Sequence, residues 1–176
     1  LKVGCEGFPI GQDRYWRAFS FVEAKTGERM PRPATLAKWK AGAPRGAEFA
    51  LQAFRLITHG REDRGFPPAG KKLPPLRQRR CGWFREGLDA YEAWLSTAAA
   101  ARTLGAKIAV FETPSSFEPG ADRLRDMYRF FKTLSRAGLT LVWHPRGAGW
   151  DARLSARVCA DLGIVRAFDP LREKGP

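Results

Sequence analysis

The ionisable residues of this chain fall in one recurring place. The only two histidines, His59 and His144, each follow an apolar, strand-like run. Glu23 closes Phe19 to Val22, Glu112 closes Lys107 to Phe111, and Asp169 closes Ile164 to Phe168. Glu6 and Gln52 stand in comparable positions, and Arg146 comes two residues after His144. Imidazole suits acid/base work near neutral pH and also binds metals. Two His with Glu112 and Asp169 would form a nitrogen and oxygen set for a divalent metal, as in metal-assisted hydrolysis. The spacing matches no metal-binding motif, so the metal remains unspecified. His144, Glu112, Asp169, His59 and Glu23 are therefore the candidate catalytic residues. Polar residues also end strands simply because strand ends meet solvent.

A second group would hold a ligand. Arg146 precedes a helix start at Asp151, where a guanidinium can grip phosphate or carboxylate in bidentate fashion. Its other natural use is an ion pair with Glu112 or Asp169. Trp16, Trp143 and Trp150 could form a wall for stacking a base or sugar. Trp150 is better suited to packing beneath the Gly147–Gly149 turn, and Trp39 and Trp94 read as core or helix-packing residues. Residues 55–86 carry nine Lys or Arg against three Asp or Glu. Arg77, Arg79 and Arg80 of this loop, with Lys71 and Lys72, could follow a phosphate backbone. The net charge of +13 favours an anionic partner, DNA and RNA included.

The elements that must position these groups alternate. From residue 87 the pattern runs helix, strand, helix, strand, helix, strand, with glycine at each helix end. The helices are expected at Gly87 to Thr103 (with Leu88, Tyr91, Leu95 and Ala98 on its core stripe), Ala121 to Ala137 and Asp151 to Leu162. Before them come strands at Leu1 to Gly4, Phe19 to Val22 and Glu48 to Phe54. Asp13 is placed to cap a turn bearing Tyr15 and Trp16, and a short helix spans Ala34 to Lys40. Pro67, Pro68, Pro74 and Pro75 exclude a long helix from the basic loop. Such alternation predicts a parallel sheet with right-handed crossovers, which brings the strand C-terminal ends, and the polar groups on them, to one face.

The 176 residues suit a single domain, 1–176, with 55–86 as a basic insertion. No apolar run reaches the roughly 20 residues of a membrane span, so no membrane role is expected. Cys5, Cys81 and Cys159 are odd in number and widely spaced, which fits a reducing cytosol better than a disulfide framework. The first residue is not Met, so upstream sequence is expected. Nothing in the pattern sets an oligomeric state.

Six segments in order, VGCEGF, FVE, RLITH, LGAKIAVFETPSSF, WHPRGAGW and VRAFDP, resemble the domain-of-unknown-function 72 family, the YecE-like proteins. The resemblance covers nearly the whole chain. It implies a TIM-type (β/α) barrel and no particular reaction. Family members carry Glu where His144 stands and Gln where Glu112 stands, so the charge of the site differs here. They also continue past the Asp-Pro with two further βα units. About six strands cannot close an eight-strand barrel, so an incomplete or open one is expected. The expected function is binding or hydrolysing a phosphate-containing ligand at the strand C-terminal ends. The alternatives are a non-catalytic nucleic-acid-binding protein that uses the 55–86 loop, and a carbohydrate or acid/base barrel enzyme.

Overall fold

The computed structural model describes residues 2–170. Strands and helices follow one another as β1 (Gly4–Glu6), α1 (Gln12–Ala18), β2 (Phe21–Ala24), α2 (Pro33–Ala41), β3 (Glu48–Gln52), α3 (Pro68–Lys71), α4 (Pro75–Arg80), α5 (Leu88–Leu104), β4 (Ile108–Glu112), α6 (Ala121–Thr133), β5 (Thr140–His144), α7 (Ala152–Leu162) and β6 (Val165–Arg166). All six strands are parallel and lie side by side in chain order. A sheet that advances one strand per crossover curls in one direction. With six strands among the described residues, and β1 and β6 at the two edges, the result is an open TIM-like α/β barrel.

Local chemistry explains the element ends. Pro33, Pro68 and Pro75 sit in the first turns of α2, α3 and α4, where the missing N–H costs nothing. The prolines of the basic loop therefore start two short helices as well as excluding a long one. Gly105 and Gly163 end α5 and α7 in the left-handed conformation. The Asp151 side chain accepts from the Leu154 amide and caps α7. Asp13 does not cap α1. The cap position is Gly11, and Asp13 lies in the first turn instead.

Tyr15 anchors α1, which it could do only from a fully buried position. Its hydroxyl accepts from the Cys5 amide at 2.8 Å and donates to the Phe21 carbonyl at 2.7 Å, joining β1 to β2. Strand β1 is Gly4–Glu6, later than the expected Leu1 to Gly4, and Leu1 lies outside the described residues. Helix α6 stops at Thr133, short of Ala137, because Leu134 turns extended and the Trp94 indole donates to the Ser135 carbonyl at 2.9 Å.

Helix α5 is rolled away from the expected stripe. Ala90, Ala93, Trp94, Ala98, Ala101 and Leu104 face the core, while Leu88, Tyr91 and Leu95 are 64%, 58% and 49% exposed. Two polar anchors set this roll. Thr97 Oγ1 accepts from the Phe54 amide at 3.1 Å, and the Trp94 indole makes the bond just described. Of the expected stripe only Ala98 is buried. No helix among the described residues is long and apolar enough to cross a membrane. The three cysteines are free thiols, with Cys81 and Cys159 buried.

Candidate functional site

Parallel pairing carries the polar strand ends to one edge of the sheet. Glu6 is in register with Glu23, and Glu112 with His144. The Gln52 amide nitrogen, at the end of β3, donates to Glu6 Oε1 at 2.6 Å and to Glu23 Oε1 at 3.1 Å. A neutral amide thus separates two carboxylates. Burial pushes the Glu23 carboxyl above its ordinary range against the opposing effect of the Gln52 bond, and the negative charges of Glu6 and Glu112 push the same way.

Beside this row the charge is mixed. Arg55, three residues past β3, is mostly buried and bridges Glu28 and Glu112, the latter at 3.1 Å. Arg146 reaches the other Glu112 oxygen at 2.5 Å. One carboxylate thus receives two guanidiniums, one buried and one 56% exposed at its side chain. His59 is buried next to them, with Nδ1 2.9 Å from Thr58 Oγ1. Burial first, and then the Arg55 charge, pulls its imidazole down to about 4, so it is neutral at physiological pH.

Asp63 fastens the walls. Its Oδ2 accepts from the Gly60 amide at 2.6 Å and the Trp83 indole at 3.0 Å, and Oδ1 accepts from the Ser116 hydroxyl. Residues 82–84 lie along 56–58, with Gly82, Trp83 and Phe84 amides donating to the Leu56, Thr58 and Ile57 carbonyls. Gly82 has φ +82°, and a Cβ there would overlap the His59 carbonyl. The Arg85 and Arg123 guanidiniums both lie over the Trp83 ring, 4.3 Å and 3.4 Å from its centroid. Together these segments enclose a polar cleft of about 510 Å³ lined by Glu28, Arg55, His59, Asp63, Arg64, Glu112, residues 113–115 and Arg146.

Of the residues singled out from the sequence, the cleft brings together Glu112, His59 and Arg146. Glu23 stands beside it and feels the Glu112 charge. His144 is half-buried beside Glu112 on β5, where its carbonyl accepts from the Thr113 amide at 3.1 Å, and its side chain does not line the cleft. Asp169 lies half-buried beyond β6 and does not line it either. Among the described residues, no group of three or more His, Cys, Asp or Glu side chains is arranged to hold a metal ion.

The aromatic wall is corrected. Trp143 is fully buried, its indole donating to Thr113 Oγ1 at 3.2 Å and its ring set against Trp150 and Phe117. Strand β5 alternates, and Trp143 falls on its covered face, so no ligand can stack there. Trp16 packs among Phe8, Tyr15 and Phe49 on α1 and contributes nothing to the cleft. Trp150 packs beneath its glycine turn, stacked on Phe117. The basic loop divides. Its start, with Arg55, His59, Asp63 and Arg64, lines the cleft, whereas Arg77, Arg79 and Arg80 line a separate cavity. Arg77 is held by Asp89 at 2.5 Å.

Arg55, Glu28, Asp63 and Arg64 escaped the sequence reading. Arg55 had a signal, since it follows closely on a strand end. Glu28 and Asp63 sit in polar loops that carry no period.

An open α/β barrel with its ionisable side chains gathered at the strand C-terminal ends belongs to the TIM-like class. The chain is a member of the DUF72 family, whose model, described as "Protein of unknown function DUF72", matches residues 13–167. It is similar in structure to a DUF72 family protein of Enterococcus faecalis V583, with a TM-score of 0.61 and 13% identity over 94% of this chain and 61% of that one. A DUF72 family protein of Thermotoga maritima MSB8 is similar too, with a TM-score of 0.63 and 14% identity over 94% of this chain and 63% of that one. The chain thus spans somewhat over three-fifths of the length of these relatives. No curated protein matches it significantly.

Proposed function

We propose that the cleft binds a phosphate-bearing anion, with Arg146 as the group that meets it. One observation carries this reading: Glu112 takes a guanidinium from each side, and the Arg146 side chain is more than half exposed. Glu112 accepts from Nη1 of Arg146, which leaves further N–H donors of that guanidinium for a ligand. An arriving phosphate replaces one carboxylate bond with a bidentate pair, while Arg55 keeps Glu112 neutralised. His59, uncharged, can accept or donate one hydrogen bond without adding charge. Binding is favoured over hydrolysis because each oxygen of Glu112 already accepts from a guanidinium, so neither is free to take a proton from an attacking water. Nucleic acid enters as a polyphosphate ligand, and a strand held in this cleft has no need of Arg79 or Arg80.

Calorimetric titration with inorganic phosphate and with a short single-stranded oligonucleotide tests this. Binding is expected to weaken at least about tenfold in Arg146→Ala, the loss of a charge-assisted bidentate pair, and to change little in Arg79→Ala/Arg80→Ala. Equal affinity in wild type and Arg146→Ala, or no binding by either probe, sinks the proposal. Release of inorganic phosphate or cleaved oligonucleotide in the presence of Mg²⁺ or Mn²⁺ would replace it with the hydrolytic reading.

A further inference from the structure

The outer side of α5 poses a separate question. Of the seven large apolar side chains exposed in the described chain, four are Leu76, Leu88, Tyr91 and Leu95. A surface that spends so many large apolar groups in one stretch is seldom idle. Leu88 and Tyr91 line a cavity of about 460 Å³ between α5 and α6, together with Ala90, Trp94, Phe130 and Leu134. A second cavity of about 550 Å³ continues from it, sharing Glu86, Gly87, Leu88 and Ala90. Its walls carry Arg77, Arg79, Arg80 and Arg85.

The arginines are not equivalent. Arg77 is tied to Asp89 and, at 3.7 Å, to Glu92. Arg85 donates to the Arg79 and Cys81 carbonyls. Among the described residues, Arg79 and Arg80 have no carboxylate partner through their side chains. Glu86, at the junction, is the one carboxylate there that no arginine takes. The groove is therefore apolar at one end and has uncompensated positive charge at the other. Neither cavity shares a lining residue with the polar cleft.

We propose that this groove binds an anionic single-chain amphiphile, a long-chain carboxylate or alkyl phosphate. The chain lies along Leu88, Tyr91, Trp94 and Phe130, and the head group meets Arg79 and Arg80. The dimensions agree, since small-molecule sites are mostly apolar hollows of a few hundred Å³ with a few placed polar groups. A bare phosphate would gain nothing from the apolar end, and an uncharged alkane nothing from the arginines.

Trp94 lines the groove, so tryptophan fluorescence reports occupancy. The probes are octanoate, decanoate, dodecanoate, decyl phosphate and decyltrimethylammonium, each below its micelle concentration, together with inorganic phosphate and anionic phospholipid vesicles. Affinity is expected to rise about fourfold per added methylene and to be at least tenfold weaker for the cationic decyl probe than for decyl phosphate. Leu88→Asp, at an exposed position that the fold tolerates, should cost at least tenfold, and Arg79→Glu/Arg80→Glu a similar factor. Arg146→Ala should leave amphiphile binding unchanged. Affinity independent of chain length, equal binding of the cation, unaltered binding by Leu88→Asp, or binding to vesicles but not to monomers would each overturn the proposal. Failure of phosphate binding at the cleft would leave it untouched.

Discussion

The two halves of the 55–86 segment are both basic and end differently: residues 55–70 carry three Lys or Arg against two acids, and residues 71–86 carry six against one. In the first half Arg55 is drawn inward between Glu28 and Glu112, and Asp63 knots the backbone to Trp83 and Ser116. In the second half Arg79 and Arg80 stay in solvent on a proline-started helix. The second half has more cations and fewer acids, and the location of the carboxylates decides what each cation does. An arginine that finds carboxylates on two sides, one of them largely buried, becomes part of the scaffold of a cleft. One that finds none stays available to a ligand.

The sharpest way to break the contrast is to part the seam between residues 56–58 and 82–84. Gly82→Ala places a Cβ on the His59 carbonyl at a positive φ. It is expected to cost about 4 kcal/mol in urea unfolding. A loss below about 1 kcal/mol would show that the first half does not depend on this stitch.

Acid probes the buried half next. The unfolded His59 imidazole takes its proton near pH 6.5 and the folded one only near 4. The unfolded state therefore binds more protons between these values, and stability is intact above pH 6.5 and declines as pH falls toward 4. The decline should be on the order of 3 kcal/mol across the window. Glu23 acts in the opposite sense, because its raised carboxyl favours the folded state at lower pH. The measurement is therefore the pH dependence of wild type minus that of His59→Gln. Identical profiles for the two proteins would remove His59 from the account.

Paired substitutions sharpen the comparison at smaller scale. Arg55→Met leaves Glu28 unpaired and Glu112 with Arg146 alone, and should cost about 2 kcal/mol. Arg77→Met should cost less than that, because Asp89 lies in the first turn of α5, where the helix dipole compensates part of the loss. Thermal melts of both variants check the order, and a reversed order would deny the distinction drawn here. Arg79→Ala/Arg80→Ala, with no ion pair to lose, should shift stability by less than about 0.5 kcal/mol.

Legibility of the chain followed the range of the interactions. The strand and helix positions could be read because alternation, glycine stops at Gly105 and Gly163 and the Asp151 cap are local signals. The parallel sheet followed from the alternation, and with it the meeting of Glu112, His59 and Arg146. The roll of α5 could not be read. Leu88, Tyr91 and Leu95 form as good a stripe as Ala90, Trp94 and Ala101 until Thr97 and Trp94 find partners outside the helix. Trp143 was misplaced for a related reason, since a strand-end position leaves open which face of the strand its side chain takes.

The amino-acid order by itself determined the succession of elements, the open parallel architecture and the edge on which ionisable groups gather, because those depend on neighbours a few residues away. Tertiary structure alone decided which guanidinium reaches which carboxylate. Arg55 and Glu112 are 57 residues apart, and Arg146 and Glu112 are 34. No period or propensity spans such distances. Only packing brings these charges within Coulomb range, and at that range the available partner, rather than the residue type, sets the role of each.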